Sequence, residues 1–148
     1  MDSFDFLFYR DLVMLNIPNS DDNIVLTPFT PLKTVSISIS DYISRILNYA
    51  YCSESAYIIS LIYLDRLLNM YGRSYYNHRS FHRFYITSIL IATKYIDDYY
   101  LSNKYYARIA GVPVRELNLL ESKFLSYIQY DLYVSDEEFN KYLEMISL

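Results

Sequence analysis

Two long segments of the chain are apolar on every side of a helix, and they limit what the chain can fold into. The first is AYIISLIYLDRLLNM, residues 56–70, and the second is FYITSILIATKYI, residues 84–96. Neither segment has a broad polar face, a pattern typical of helices that are surrounded by other helices. We therefore predict that both form central helices and that shorter helices pack around them in a bundle.

Capping residues mark the predicted helix ends. Serine at an N-cap accepts a backbone N–H of the first turn, and glycine favours the position just past a helix end. Gly111 should therefore end one helix, and Pro113 should occupy the first position of the next. The predicted helices cover about 41–50 after Ser40, about 54–70 after Ser53, about 81–96, a short stretch after Ser102, a stretch from Pro113 to a break at 131–134, and a last stretch from the S-x-x-E box of Ser135 to near Ile146. The predicted fold class is all-α.

The N-terminal region is predicted to be a helix followed by a linker. Apolar residues recur there at the spacing of one helical face, at Phe4, Phe8, Leu12 and Leu15. Asp2 and Asp5 stand where a signal peptide carries basic residues, so we interpret the segment as retained. Three prolines disfavour helix in the residues before them, which predicts an extended linker over residues 18–34.

Composition narrows the function classes. The 148 residues, of which 53% are hydrophobic, fit one domain. Cys52 is the single cysteine, so no internal disulfide can form, and we expect a reduced compartment, the cytoplasm or nucleus or both. The net charge of −4 disfavours nucleic acids and anionic membranes as partners. No stretch reaches the roughly 18 apolar residues that cross a bilayer.

Asp65 interrupts the first apolar segment, where an unpaired carboxylate would cost several kcal/mol on burial. Arg66 follows directly in sequence but points about 100° away around the helix. Arg45, on the preceding predicted helix, can reach across. We predict that Arg45 and Asp65 form a structural ion pair that fixes how the two helices dock.

Lys94 and Glu121 also interrupt apolar faces, near the end of the second central helix and within ELNLLESKFLSYI. One interpretation is two unrelated surface charges, with Lys94 favoured by the helix dipole and paired to Asp98 four residues later. The other is a single polar spot surrounded by hydrophobic surface, which is typical of a site that recognises a partner protein.

The order and spacing of four strings resemble the cyclin family, and within it the P-type branch, called U-type in plants, which is similar to phosphate-signalling cyclins of fungi. The strings are SISISDYISRILNYAYC, YIISLIYLDRLL, FHRFYITSILIATKYIDDYYLSNKYYARIAGV and ELNLLESKFLSYIQYDLYVSDEEF. They cover about residues 35–140. The resemblance implies a single cyclin box of five helices over 35–134, preceded by the N-terminal helix and linker of 1–34 and followed by a C-terminal helix over 135–148.

The resemblance also implies a function and the residues that perform it. A cyclin is no enzyme itself; it binds and activates a cyclin-dependent protein kinase by holding the kinase's mobile regulatory helix inward. The lysine and glutamate at the centre of the family's kinase-binding face match Lys94 and Glu121. Neighbouring contact positions match Ile91, Tyr95 and Leu125, and the family's buried ion pair matches Arg45 and Asp65.

The first-helix string departs from many cell-cycle cyclins, with Ser44 before the arginine and Tyr51 where they carry tryptophan in a substrate-docking groove. Recruitment of kinase substrates through that groove is therefore in doubt, although kinase substrates stay among the partners considered.

Other function classes have weaker support. His78 and His82 have the H-x-x-x-H spacing of two metal ligands, but no third ligand cluster accompanies them, so we expect neither metal nor cofactor. With two glycines there is no phosphate-cradling loop, and no nucleophile stands beside a base, which argues against catalysis. The main alternative is a cyclin-fold scaffold that binds a non-kinase protein or nucleic acid.

One local feature stays open. Basic residues concentrate before and at the start of the second central helix, at Arg73, His78, Arg79, His82 and Arg83. They form either a solvated loop or a surface that recognises phosphate.

Overall fold

Seven α-helices make up the part of the chain that the structure describes, namely residues 4–15, 17 and 24–147 of a computed structural model. In chain order they are α1 (Phe6–Leu15), α2 (Ile39–Tyr49), α3 (Glu54–Tyr71), α4 (Phe81–Ile96), α5 (Asn103–Ala110), α6 (Val114–Tyr127) and α7 (Asp136–Ile146). Within those ranges the only β-type pairing is an isolated bridge between Phe4 and Ser147. The predicted all-α class is confirmed. None of the described helices is long and apolar enough to cross a membrane.

Serine side chains begin most of these helices. Ser53, Ser102 and Ser135 each accept the backbone N–H three residues later at 3.1–3.3 Å, as predicted. For α2 the capping residue is Ser38 instead of Ser40, so this helix starts two residues earlier than expected. The SISIS repeat offers several serines as caps, and the spacing alone does not choose among them.

Gly111 and Pro113 separate α5 from α6. Gly111 has φ +74°, the left-handed conformation that glycine adopts without a steric penalty, and it ends α5 as predicted. Pro113 has extended backbone and precedes the first helical residue, Val114, so its predicted position is wrong by one residue.

Helices α3 and α4 form the centre of the molecule. From Phe81 to Thr93 every residue of α4 except Arg83 is buried. Helix α3 packs against α4 and α7, and α4 also packs against α2, α5 and α6. The prediction that both apolar segments are central is confirmed.

Polar groups inside these two helices are satisfied locally. Each of their buried serine and threonine hydroxyls donates to a backbone carbonyl three or four residues earlier at 2.6–2.8 Å; these residues are Ser60, Thr87, Ser88 and Thr93. A buried hydroxyl without a partner would cost about 1–3 kcal/mol, so these bonds make the sequence compatible with a buried helix.

Helix α1 is joined to the core through Tyr9. The fully buried Tyr9 hydroxyl hydrogen-bonds to the Tyr85 hydroxyl at 3.0 Å and lies 3.3 Å from Ser60 Oγ. Burial is the main reason that the pKa of Tyr9 is raised. Helix α1 also packs against α2 and α7, so it belongs to the same folded unit.

The predicted buried face of α1 is wrong in part. Phe8 is 46% exposed and Leu15 72% exposed, whereas Tyr9 and Val13 are buried. The helix is rotated so that the polar tip of Tyr9 reaches its partners in the core, a factor that apolar spacing does not include.

The segment before α2 is irregular and is anchored by one aromatic ring. Residues 18–23 of the predicted linker lie outside the described residues. In the described part, Phe29 is fully buried and stacks on Phe84 with ring centroids 4.0 Å apart. A turn at Thr27–Thr30 positions this phenylalanine, so the linker forms part of the core.

Arg66 fixes the chain after α6 onto α3. Its guanidinium donates to the backbone carbonyls of Asp131 and Tyr133, both at 2.8 Å, and to the Glu138 carboxylate at 2.7 Å. The Ser135 hydroxyl accepts the Glu138 N–H, as the predicted capping box requires. The Glu138 carboxylate, however, accepts a hydrogen bond from Arg66. The largely buried Arg66 thus positions the start of α7.

Asp65 does not pair with Arg45, and the ion pair predicted from the sequence is wrong. The Asp65 carboxylate instead accepts a hydrogen bond from the Tyr142 hydroxyl at 2.7 Å, and Arg45 is exposed. The reason is packing: α3 lies against α7, whereas α2 lies against α1, α4 and α5. Burial raises the pKa of Asp65, and the bond from Tyr142 partly opposes that effect.

Asp97, which follows α4 directly, connects this helix to the start of α3. Its carboxylate accepts the backbone N–H of Ser53 at 3.0 Å and the Ser53 hydroxyl at 2.5 Å. The same serine caps α3 through Ala56 N–H. The end of α4 and the start of α3 are thereby joined.

Substituting Asp97 with alanine should lower the free energy of unfolding by about 1 kcal/mol, the typical net contribution of a hydrogen bond, because the bonds from Ser53 are lost. Urea denaturation measures the change. The neighbouring Asp98→Ala is the matched control, because Asp98 is exposed, and it should have little effect. Equal losses in the two variants would contradict the assigned role of Asp97.

Substituting Asp65 with asparagine should change the pH dependence of stability. Because the pKa of Asp65 is raised in the folded protein, the native state holds this proton more tightly than the unfolded chain. The stability that this proton contributes is fully present below the ordinary pKa of 3.8 and is lost as pH rises through the raised value. Unfolding free energies from about pH 4 to about pH 7 should therefore shift in favour of Asp65→Asn relative to wild type.

The exposed Asp136→Asn is the control for this comparison and should show no such shift. A difference between wild type and Asp65→Asn that is constant with pH would show that Asp65 titrates normally in the folded protein.

Candidate protein-binding site

Lys94 and Glu121 meet at the surface of the molecule. Lys94 stands in the last turn of α4, and its Nζ lies 2.8 Å from Oε2 and 3.2 Å from Oε1 of Glu121 on α6. The side chains are 32% and 19% exposed. The alternative pairing of Lys94 with Asp98 is not the one that the structure shows. Packing of α6 on α4 brings the two charges together. Lys94 therefore pairs with Glu121, 27 positions later in the chain, and not with Asp98, four positions later.

Asn103 holds the glutamate in place. Its side-chain amide donates to Glu121 Oε1 at 3.0 Å and to Asn118 Oδ1 at 2.7 Å. Asn103 is the first residue of α5, next to the capping Ser102. The sequence analysis missed Asn103. The capping residue Ser102 indicated where α5 begins, but the spacing did not indicate that the start of α5 meets α6.

The three neighbouring residues predicted as contacts differ in accessibility. Tyr95 is 47% exposed, Leu125 is partly buried against the core, and Ile91 is only 4% exposed. Ile91 is therefore wrong as a surface contact, because it lies on the side of α4 that packs into the bundle. Further exposed apolar side chains lie at the end of α4, at Ile96, and after it, at Tyr99 and Tyr100.

We refer to Lys94, Glu121, Asn103, Tyr95 and Leu125 together as the Lys94 face. It combines one cation and one anion in fixed positions with apolar and aromatic side chains around them. Residues that carry much of the binding energy of a protein interface are enriched in tyrosine. The Lys94 face is therefore a candidate for binding another protein.

His78 and His82, which have the spacing of two metal ligands, are not joined by further ligands within the described part of the chain. Across the described ranges, no group of three or more His, Cys, Asp or Glu side chains is arranged to hold a metal ion. His82 is buried and its Nε2 donates to the Ile37 carbonyl at 2.9 Å. Burial, as the main cause, lowers the pKa of His82.

Cys52 is the remaining side chain that could be chemically reactive. Burial raises the pKa of its thiol to about 11. The thiolate is the reactive form of cysteine, so this side chain has the character of an inert core residue.

Comparison with known proteins identifies the family. The family model described as Cyclin matches residues 16–132 of the chain. Cyclin-U4-1 of Arabidopsis thaliana is 36% identical over 80% of this chain and 58% of its own length. Cyclin-P4-1 of Oryza sativa subsp. japonica is 38% identical over 82% of this chain and 57% of its own length.

A fungal protein is similar as well. The PHO85 cyclin-like protein psl1 of Schizosaccharomyces pombe is 33% identical over 80% of this chain and 49% of its own length. The chain thus spans about half to three fifths of the length of these curated relatives.

Proposed function

The chain belongs to the cyclin family, and we propose that it is the regulatory subunit of a cyclin-dependent protein kinase. Cyclins regulate and do not catalyse, in keeping with the lack of a catalytic constellation in the sequence. The observation that carries the proposal is the half-buried Lys94–Glu121 pair, which lies near the exposed Tyr95 and Ile96.

The pair can bind a backbone segment without being broken. A lysine ammonium has three N–H donors, of which two are directed to the glutamate oxygens, and an ionised carboxylate has about four acceptor sites. The Lys94 face therefore offers one N–H donor and further acceptor positions side by side. A peptide backbone presents a carbonyl and an N–H, so the termini of a helix, whose backbone groups are unpaired, are suited to dock here.

Preorganisation makes this docking favourable. The hydrogen bond from Asn103 fixes Glu121 before any partner arrives, so less side-chain entropy is lost on binding. The exposed Tyr95 ring can bury apolar area against the partner at a low entropic cost.

The consequence for the kinase is a shift in its conformational equilibrium. A protein kinase is active when its strand lysine pairs with a glutamate on the mobile regulatory helix. A cyclin surface that binds this helix only in its inward position stabilises the active state by the difference in affinity for the two states. We propose that the Lys94 face makes that contact.

Substituting either Glu121 or Lys94 with alanine should weaken binding to the kinase catalytic subunit by about 30-fold or more. The reason is that truncating one partner of a desolvated charge pair costs about 2–5 kcal/mol. Affinities would be measured for a panel of purified cyclin-dependent kinase catalytic subunits, together with phosphorylation of a test peptide by the kinase that binds.

The matched controls are Glu144→Ala and Lys141→Ala, exposed residues of the same types on α7. Circular dichroism melting shows whether each variant is folded. Should a folded Glu121→Ala protein keep wild-type affinity and activation, the Lys94 face is not the kinase-binding surface.

Substituting Asn103 with alanine tests preorganisation separately. This change removes a hydrogen bond to a charged group while both charges stay, so the affinity should fall by about tenfold, less than for Glu121→Ala. Asn140→Ala on α7 is the control. A loss as large as that of Glu121→Ala would indicate that Asn103 contacts the kinase directly.

A further inference from the structure

Two threonines in the linker before α2 directly precede a proline, in the string TPFTPLK of residues 27–33. They are Thr27 and Thr30. The third residue after Thr30 is a lysine, whereas the third residue after Thr27 is uncharged. A hydroxyl followed by proline and then by a basic residue at the third position is the pattern that proline-directed protein kinases select. Thr30 meets this pattern in full.

The pattern has a physical basis. Proline has no backbone N–H, so it suits an enzyme groove that offers no partner for the N–H of the residue after the acceptor. A lysine further along the substrate can form a charge-assisted hydrogen bond with an acidic group of the enzyme. Thr30 meets both requirements, and Thr27 meets only the first.

Accessibility distinguishes the two threonines in the same direction. Residues 31–37, which follow Thr30, have no regular secondary structure, and both Leu32 and Lys33 are exposed. Thr30 is itself partly exposed, and its hydroxyl accepts the Thr27 N–H at 3.1 Å, a bond within a single turn. The residue two positions after Thr27 is Phe29, which is fully buried. An enzyme can therefore reach the recognition residues after Thr30, but not all of those after Thr27.

Thr30 lines a cavity that is rich in cations. The cavity has a volume of about 720 Å³, and Lys33, Arg45 and Arg83 line it as well. Glu116 is the one acidic residue of its lining and is bound to Arg83. With histidine counted as neutral, the lining has a net charge of +2, in a chain whose net charge is −4. A phosphate group on Thr30 would therefore be created beside cations that can bind it.

We propose that Thr30 is phosphorylated by a proline-directed serine/threonine kinase and that Lys33 and Arg45 hold the phosphate in this cavity. In the reaction, Oγ1 of Thr30 attacks the γ-phosphorus of an ATP molecule bound to the kinase. A bond from Oγ1 to phosphorus forms, and the bond from this phosphorus to the oxygen that bridges the β- and γ-phosphates breaks. The hydroxyl proton passes to a base of the kinase, and ADP leaves.

The phosphate joins the linker to α2. Its oxygens still accept the Thr27 N–H, and they add acceptors for the guanidinium of Arg45, which does not pair with Asp65. A phosphate opposite an arginine forms charge-assisted hydrogen bonds that order the segment carrying it. Phosphorylation thus fixes the linker more firmly on the bundle. The cavity shares no residue with the Lys94 face, so this proposal does not depend on the proposed function.

Phosphorylation of the full chain with ATP tests the choice of acceptor. The enzyme is a cyclin-dependent kinase already activated by a different cyclin, so activation by this chain is not needed. Mass spectrometry should show phosphate on Thr30 at a rate about tenfold or more above that on Thr27. Lys33→Gln should slow the reaction at Thr30 by about tenfold, and the control Lys141→Gln, at an exposed lysine of α7, should not. An unmodified Thr30 in wild type, or equal rates at the two threonines, would overturn the proposal.

Thermal melting of the phosphorylated protein tests the place of the phosphate. Phosphorylation of Thr30 should raise the Tm by about 2–4 °C or more. The rise should be lost in Arg45→Gln and kept in Arg108→Gln, at an arginine of α5 outside the cavity. Both arginines are exposed, so neither substitution should unfold the chain. A phosphorylated wild-type protein that melts no higher than the unmodified one would show that the cavity does not hold the phosphate.

Discussion

Burial of α4 is the constraint on which the rest of the structure depends. Between Phe81 and Thr93 only Arg83 is not buried, so the helix can present functional groups only at its two ends. Its C-terminal end carries Lys94 into contact with Glu121. Its N-terminal end carries Arg83, which pairs with Glu116. Both cations of this helix are therefore matched by glutamates of α6, Glu121 and Glu116.

Two kinds of contact keep α4 in this position. Aromatic packing anchors the chain before α2, since Phe29 stacks on Phe84, and the Tyr9 hydroxyl joins α1 to Tyr85. Polar contacts join the helix ends, since Asp97 binds Ser53 at the start of α3. The N-terminal helix and the described part of the linker thus help to hold α4, which carries one half of the proposed binding surface. A rigid support matters because a preformed surface loses less entropy when a partner binds.

Local signals in the sequence predicted much of the fold. Ser53, Ser102, Ser135 and Gly111 act within one helical turn of themselves, and all four lie where they were expected. Residue types and spacing were sufficient in these cases. For Lys94 and Glu121 the spacing showed that each charge interrupts an apolar face, but it left open whether the two charges meet.

Contacts that depend on how helices rotate and which helices touch were not predictable in this way. Arg45 was assigned to Asp65 because the two helices are consecutive, yet the partner is Tyr142 of the last helix. Ile91 was placed on the surface by family resemblance, although the helix turns it inward. Asn103 was missed because its role arises only when α5 meets α6.

The most direct test of the account is hydrogen–deuterium exchange on the chain alone and in complex with a kinase catalytic subunit that it binds. Protection on binding should concentrate at the end of α4, the start of α5 and the middle of α6, around Lys94, Asn103 and Glu121. Protection confined to other surfaces, with exchange in these three segments unchanged, would contradict the claim that the Lys94 face binds the kinase.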